Sequence, residues 1–574
     1  MSDEFFEESV CKVGDLSVAT ENGKSECMKE VELGQGKCLI VRHKDGKITA
    51  VGHKCTHYGA PLIKGVLNNG RIRCPWHGAC FNAETGDIED FPGLDSIHSF
   101  QVRIESDDVI VRARRDQLTN NKRNLLAGKT GLDCSNCYDE DGRVVIIGGG
   151  PSSLTCAETM RKEGFTGRIV LLSKDRHPPY DRPKLSKALN IEPDKAYLRG
   201  NADYYKSIGI ELHNNVEVVG VNVVTKSVKV SKPVPDCTAN GNLHVTYDKL
   251  VIATGGQPRT LAPTPGWNLK NIFVLRTPDD ANAIAKASKD RQVVVVGSSF
   301  IGMEVAAYLA DKKIAESVSV VCGKRSSVPF EGSLGKEVGT MIMQMNEEKG
   351  SVLFYPKAGV VGLGGGEGNG ASSVKKVKLS DGNVLDADVV VVGIGVNPAT
   401  QFLNDSELRL TDRGFIPVDA RMQTKVPNVY AVGDVALFPL AMKDGELSNI
   451  QHWQMAHAHG RIAGLDIVKS LQRTKSGKSA ATSFSTSGQS VNSVPFFWTV
   501  QYGSSIRYAG HGVGYDDVSI CGDVSARKFA AYYLKKDVVV AVATMNADPV
   551  AANMAEKLAN GVVMRRIDIP PCLV

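Results

Sequence analysis

The 574-residue sequence has no apolar run approaching the roughly 20 residues needed to span a bilayer. Its longest runs, such as Val389–Val392, have the length of a buried strand. It also lacks any arginine-rich or lysine-rich tract. A formal charge of +5 is small for this length, so nucleic acid is not expected as a partner. The first stretch, Met1–Val10, is acidic, carries Phe5 and Phe6, and has no basic n-region. It reads as neither a signal peptide nor a transit peptide, and a reducing, cytoplasmic setting is the expectation. The 13 cysteines are odd in number and spread along the chain, which argues against a disulfide framework.

What is present is an ordinary globular composition, 42% hydrophobic and 23% charged, over a length that suggests about three to four domains. Residues 12–114 alternate apolar and polar positions in short runs such as Val109–Arg114, as antiparallel strands do. Residues 115–142 are polar with Asn-Asn and Asp-Gly signals and read as a linker. From Arg143 a continuous apolar strand, a glycine cluster and a helical pattern follow one another. The same unit returns at 292–309, which predicts two nucleotide-binding folds. Residues 470–493 are rich in Ser, Thr and Gly and read as a surface loop, and alternating strands resume from Pro495.

The sharpest signal is Cys55-Thr-His57, followed after 16 residues by Cys74-Pro-Trp-His77. Each short spacing puts one sulfur and one nitrogen on a loop tip. Two such tips supply the two cysteines and two histidines of a Rieske [2Fe–2S] cluster. Gly59, Pro61, Pro75 and Gly78 provide the tight turns. Zinc accepts the same four ligands, but a β domain of about 100 residues is larger than a zinc finger. The flanks Cys-Thr-His-Tyr-Gly-Ala-Pro-Leu and Cys-Pro-Trp-His-Gly-Ala-Cys-Phe closely resemble Rieske ferredoxins. Cys80 and His53 fall outside the ligand pattern. Cys134-Ser-Asn-Cys137 is a lone CxxC in the linker.

The first nucleotide motif is Gly148-Gly-Gly150-Pro151-Ser152-Ser153, a G-x-G-x-x-G pattern with serine in the last place. Its glycines allow close approach to a pyrophosphate, and the following helix offers free N–H groups. Asp175, about 25 residues on, is placed to accept from ribose hydroxyls. Ala253-Thr254-Gly255 and Gly433-Asp434 each end an apolar strand, and Pro179-Tyr-Asp-Arg182-Pro-Lys-Leu-Ser-Lys187 lies between. The second motif, Gly297-Ser-Ser299-Phe-Ile-Gly302-Met-Glu304, repeats the logic with serine as its middle member. After the next strand, at Cys322, the acid that would select an NAD ribose is missing. Lys324 and Arg325 could meet a 2′-phosphate or be solvated loop residues, so the co-substrate is NADH or NADPH.

Taken in order, these motifs, with Gly302-Met-Glu-Val-Ala-Ala-Tyr-Leu, His452-Trp453-Gln-Met-Ala-His-Ala and Phe496-Phe-Trp498-Thr, resemble the Rieske-containing, apoptosis-inducing-factor-3-like branch of the apoptosis-inducing-factor family. The resemblance runs from about residue 12 to near the end. Its reductase part is similar to the glutathione-reductase-like ferredoxin reductases. It implies an N-terminal all-β Rieske fold, two α/β Rossmann-like nucleotide-binding domains and a C-terminal α+β domain. The expected spans are 143–275 with 396–490 for FAD, 276–395 for NAD(P)H and 491–574 for the last domain. By the same resemblance Asp434 holds the flavin ribityl chain and Lys187 sits near the reactive flavin nitrogen. Glu304 pairs with Lys187, Trp453 and Trp498 line the flavin, and the stretch through Gly395 closes the nicotinamide site. No disulfide bridging the cluster loops is expected. The expected activity is electron transfer from NAD(P)H through FAD to the fused cluster and on to an unidentified acceptor. A redox-sensing, pro-apoptotic signalling protein is the alternative reading, and a component serving a separate oxygenase is a third. Mitochondrial association and a homodimer are left open by the resemblance.

Overall fold

The computed structural model describes residues 5–16, 26–126, 138–235, 243–366, 373–475 and 491–571. Cys134 and Cys137, and most of the Ser/Thr-rich stretch, lie outside the described residues. The helix Trp453–Lys475 runs on through the start of that stretch, so 470–475 is helix rather than loop. Its last turns carry Ile467, Val468 and Leu471 against the FAD-domain core, and this apolar face overrides the local polar composition.

The N-terminal module is antiparallel throughout. Six strands pair in the order Phe5–Lys12, Asp108–Arg114, Ser99–Glu105, Ile48–Gly52, Gly36–Arg42 and Cys27–Leu33. The module therefore begins at the strand Phe5–Lys12, not at residue 12, because that strand satisfies the free edge of Asp108–Arg114. A second sheet of four short strands, Val66–Asn68, Arg71–Arg73, Cys80–Asn82 and Ile88–Asp90, carries the cysteine–histidine loops. The expected linker is also shorter than 115–142. Residues Arg115–Thr119 form a helix, and the strand Tyr138–Ile147 already belongs to the next domain.

Two parallel sheets follow. The first orders Ile210–His213, Gly167–Leu172, Tyr138–Ile147, Lys249–Ile252 and Val429–Ala431. The second orders Ile272–Val274, Val389–Val392, Gln292–Val296, Ser317–Gly323 and Leu353–Pro356. Strands buried on both faces read as unbroken valine runs, which is why Val293–Val296 and Val389–Val392 stand out in the sequence. The second domain takes in Ile272–Val274, a few residues before the expected boundary at 276, because this strand pairs with Val389–Val392. The chain crosses between the two domains twice, through the paired strands Gly256–Pro258 and Val396–Pro398. The C-terminal domain is a five-stranded antiparallel sheet backed by the helix Val550–Ala559. Among the described residues no helix is long and apolar enough to cross a membrane.

The N-terminal module is fastened to the reductase by buried polar groups. Arg73 is 0% exposed; its Nε donates to Glu556 of the C-terminal helix at 2.5 Å, and its Nη1 to Gly78 O at 2.7 Å and Asp90 at 3.3 Å. Asp90 also accepts from Gln454 and Ser493, both at 3.1 Å. Arg199 joins Asp95 at 2.8 Å to Glu158 at 2.7 and 2.9 Å. Burial pushes the Glu158 carboxyl up, but Arg199 and Lys162 more than offset this and hold it below its ordinary range. Removing one member of a buried pair strands the other charge. Glu556→Ala is therefore expected to destabilise the module by about 3–5 kcal/mol in urea titrations followed by visible cluster absorbance. The double change Arg73→Met/Glu556→Leu should recover most of that loss.

Candidate redox site

The two cluster loops are built alike. Cys55 N bonds to Ala60 O at 2.8 Å, and Gly59 N to Cys55 O at 3.0 Å. Cys74 N bonds to Ala79 O at 2.7 Å, and Gly78 N to Cys74 O at 3.3 Å. Both turns need a positive φ, +74° at Gly59 and +76° at Gly78, which glycine adopts without strain. A side chain at Gly78 would also strike the Phe496 ring, 2.7 Å from where its Cβ would lie. The loop tips bring the Cys55 and Cys74 sulfurs together within a buried core, and the Nδ1 atoms of His57 and His77 to 3.1 Å. Burial pushes the His57 imidazole down to about 3 and that of His77 well below its usual value, which keeps both rings neutral, as a metal ligand must be.

Among the described residues no three His, Cys, Asp or Glu side chains converge on a single ion. The four instead meet as a sulfur pair and a nitrogen pair. That is the donor set of a two-iron group with one iron per pair, and it does not suit one tetrahedral zinc. Cys80 is no ligand. Burial pushes its thiol up to about 12, and it lies 3.8 Å from Glu556 Oε1. His53 is bound through Nδ1 to Lys37 O at 2.9 Å.

Beside the cluster loops lies a cavity of about 430 Å³. The crossing strand Val396–Pro398 and both nucleotide helices meet on it. The first helix starts at Pro151, whose missing N–H costs nothing at that position, and Gly150 leaves open space before it. Gly150, Pro151, Ser152, Arg182 and Lys187 line the cavity, as do Ala253, Thr254 and Gly255. So do Ser299, Gly395, Gly433, Asp434, Trp453 and Trp498. Gly148, Ser153, Asp175, Gly297, Gly302, Lys324 and Arg325 do not. Gly148 and Gly297, at φ +119° and +110°, pack against the backbone of Ala253 and Gly393, and Gly302 packs on Gly297. Ser153, in the first turn of that helix, is fully buried, its hydroxyl without a partner among the described residues. Asp175 accepts from Tyr180 Oη at 2.7 Å and from His177 N at 3.2 Å, one layer behind the wall.

Lys187 Nζ lies 2.8 Å from Glu304 Oε2, which Ser186 also approaches, and Thr499 donates to Glu304 Oε1 at 2.9 Å. Three segments far apart in sequence thereby fix the lysine at the cavity wall. Arg276 was not legible in the sequence. It lies between the strand Ile272–Val274 and the Thr277 capping box, lines the cavity, and its guanidinium has no protein partner among the described residues. Burial and the nearby Arg182 lower it to about 10, still far into the charged range at neutral pH. Two arginines at the wall, beside an open helix N-terminus, fit the pyrophosphate of a dinucleotide. Asp434 faces them, its carboxyl pushed up by burial and drawn back by Arg276 and Arg182.

Trp498 belongs to both sites. It lines the cavity, and its ring centroid is 4.2 Å from that of His77 and 5.8 Å from that of His57. The period of two along Phe496–Gln501 explains this. Phe496 and Trp498 face the N-terminal module, while Phe497 meets Phe300 and His452, and Thr499 meets Glu304. Arg507, opposite Trp498 across the strand pair, donates to Trp76 O at 3.1 Å and pairs with Asp548 at 3.0 Å.

A nucleotide-reductase fold with a two-cysteine, two-histidine module docked on its cavity defines an electron-transfer flavoprotein. Residues 142–460 match the pyridine nucleotide-disulphide oxidoreductase family, 8–101 the Rieske [2Fe-2S] domain and 496–566 the reductase C-terminal domain. Apoptosis-inducing factor 3 of Homo sapiens is 46% identical over 98% of this chain and 86% of its own. The seedling isozyme of monodehydroascorbate reductase of Cucumis sativus is 32% identical over 70% of this chain and 90% of its own. Among solved structures, the covalent putidaredoxin reductase–putidaredoxin complex aligns with a TM-score of 0.63 at 27% identity, over 73% of this chain and 93% of that one. The chain belongs to the pyridine nucleotide-disulphide oxidoreductase family, in its Rieske-containing, apoptosis-inducing-factor-3-like branch. It is a ferredoxin-reductase-like oxidoreductase fused to a Rieske domain, and this membership implies FAD, a nicotinamide dinucleotide and a [2Fe–2S] cluster. Charge-assisted hydrogen bonds contribute about 1.5–3 kcal/mol, so Arg276→Ala is expected to weaken FAD binding by about 10–100-fold, read from flavin fluorescence released on dilution.

Proposed function

We propose that this chain carries electrons from a nicotinamide dinucleotide to its own Rieske module across Trp498, and from there to a separate acceptor molecule. The observation that carries this reading is the double placement of Trp498, at the wall of the dinucleotide cavity and against the ring of His77. A bound flavin supplies the conversion between a two-electron nicotinamide and a one-electron cluster. Lys187, held by Glu304, presents a positive charge where negative charge develops on reduction. Phe300 and Ile301 of the second nucleotide helix line the same cavity, so the two dinucleotides meet there. Cys55, Cys74, His57 and His77 hold the cluster. The alignment with a reductase covalently joined to putidaredoxin supports the same arrangement, with the electron partner fused in. The human relative's name carries the signalling reading, whereas a module docked at the cavity wall favours turnover.

Lys324 and Arg325 are exposed at the end of the strand Ser317–Gly323, the stem of Lys324 lying over Gly359. Glu331, farther along the same loop, is held below its usual range by the Ser327 backbone N–H, which donates to it at 2.6 Å. It is thus committed to its own loop. This arrangement favours NADPH at least as much as NADH. In anaerobic titrations with each nucleotide, low-temperature EPR should show a Rieske signal after flavin bleaching. Trp498→Leu should slow cluster reduction relative to flavin bleaching by about tenfold, a barrier change of roughly 1.4 kcal/mol, with Trp498→Phe intermediate. An unchanged ratio removes Trp498 from the route. Lys324→Ala/Arg325→Ala should raise the KM for NADPH by about tenfold, one lost charge-assisted contact, and leave that for NADH unchanged. A strong preference for NADH in the unmodified protein overturns this assignment.

A further inference from the structure

The reductase covers the cysteine–histidine loops on the His77 side and leaves part of the His57 side exposed. On the His77 side stand Trp498, Phe496 and Arg507. On the His57 side stands Tyr58, which is 48% exposed. Its ring stacks on His57 with centroids 4.0 Å apart and planes at 23°. Its hydroxyl donates to Asp181 at 2.6 Å, so the ring is pinned to the FAD domain. An aromatic face that touches a cluster ligand and also meets solvent is a route outward.

The charges around it are distributed in one direction. Lys54 directly precedes Cys55. Lys64 closes the turn whose Leu62 N bonds to His53 O at 2.9 Å. Lys122 follows Asn121, whose side chain donates to Cys55 O at 3.3 Å. All three lysines are exposed and none is within ion-pair distance of a carboxylate among the described residues, Lys64 acting on Asp548 only at longer range. Away from the cluster, Lys12, Lys29 and Lys37 are paired with Asp108, Asp15 and Glu30 at 2.9, 3.1 and 3.2 Å, and Lys47 with Glu84. Of the carboxylates nearby, Asp548 is paired with Arg507, and Asp181 accepts from Tyr58 while burial pushes its carboxyl up, toward the uncharged form. The three cations sit on three segments and share no acceptor, so they frame a face and do not converge on a point. A framed, positive face suits a macromolecular anion better than a small one.

We propose that the rim formed by Tyr58, Lys54, Lys64 and Lys122 is the docking surface for a small acidic electron-carrier protein. The proposal rests on the reading that electrons leave by the cluster. One electron passes from the reduced cluster to the oxidised centre of the carrier, with no proton and no bond change. The test uses the full-length holoprotein and two forms of one haem protein. Native cytochrome c is basic, and succinylation of its lysines makes it acidic at the same haem. At low ionic strength the succinylated form should be reduced about tenfold faster or more, and added salt should erase the difference. In Lys54→Glu/Lys64→Glu/Lys122→Glu the preference should reverse, while the NADPH-dependent Rieske EPR signal persists. The corresponding triple change to Gln should abolish the preference without reversing it, which guards against a folding defect. Faster reduction of native cytochrome c, or a preference for the acidic form that survives in both variants, overturns the proposal. Protein reduced with dithionite gives the same comparison when nicotinamide fails to reach the cluster, so the docking surface and the internal route fail separately.

Discussion

Arg73 is fully buried, and its placement constrains much of the molecule. A guanidinium in a dry interior is tolerated only when nearly every donor finds an acceptor. Here the acceptors come from two domains, Asp90 and Gly78 O from the N-terminal module and Glu556 from the last helix. Satisfying the charge therefore requires that the module be seated. The same arginine grips the carbonyl of Gly78, the residue after His77, so seating the module and placing the His77 loop are one problem. Gly78 in turn leaves room only for Phe496, two residues before Trp498.

A second chain of constraints runs from the cavity. Glu304 lies on the helix of the nicotinamide domain, Lys187 on a loop of the FAD domain and Thr499 on the C-terminal sheet. One carboxylate thereby registers three domains against each other. The strand Phe496–Gln501 belongs to both chains of constraint, with one face turned to the cluster and the other to Glu304. Small shifts of this strand would be felt on both sides, because a close-packed interior transmits displacement.

Local features were legible in the sequence. The cysteine–histidine spacing, the glycine loops and the valine-rich buried strands each declare themselves within about ten residues. Pairings across a hundred residues or more were not. Arg73–Glu556, Arg199–Asp95 and Asp90–Gln454 join residues with no shared motif or period, and Arg276 is one arginine after an ordinary strand. The Thr277–Asp280 capping box just after it was the available hint that this segment is fixed in position. The motif glycines also proved to be of two kinds. Gly150 opens toward the cavity, whereas Gly148, Gly297 and Gly302 let backbone pack on backbone, which spacing alone does not distinguish. Asp175 stands at the expected strand end, but its oxygens are occupied by Tyr180 and His177.

The seated module also sets the order of the kinetics. A free iron–sulfur partner would have to find the reductase for every electron, at a rate that falls on dilution. A partner held by buried charge receives its electron in a unimolecular event, indifferent to how much protein the cell contains. Delivery to an outside molecule stays bimolecular. When acceptors are scarce, the filling step outruns the emptying step, and reducing equivalents accumulate on the chain. The molecule then behaves as a small reservoir whose discharge is governed by supply of the acceptor and not by the abundance of the enzyme.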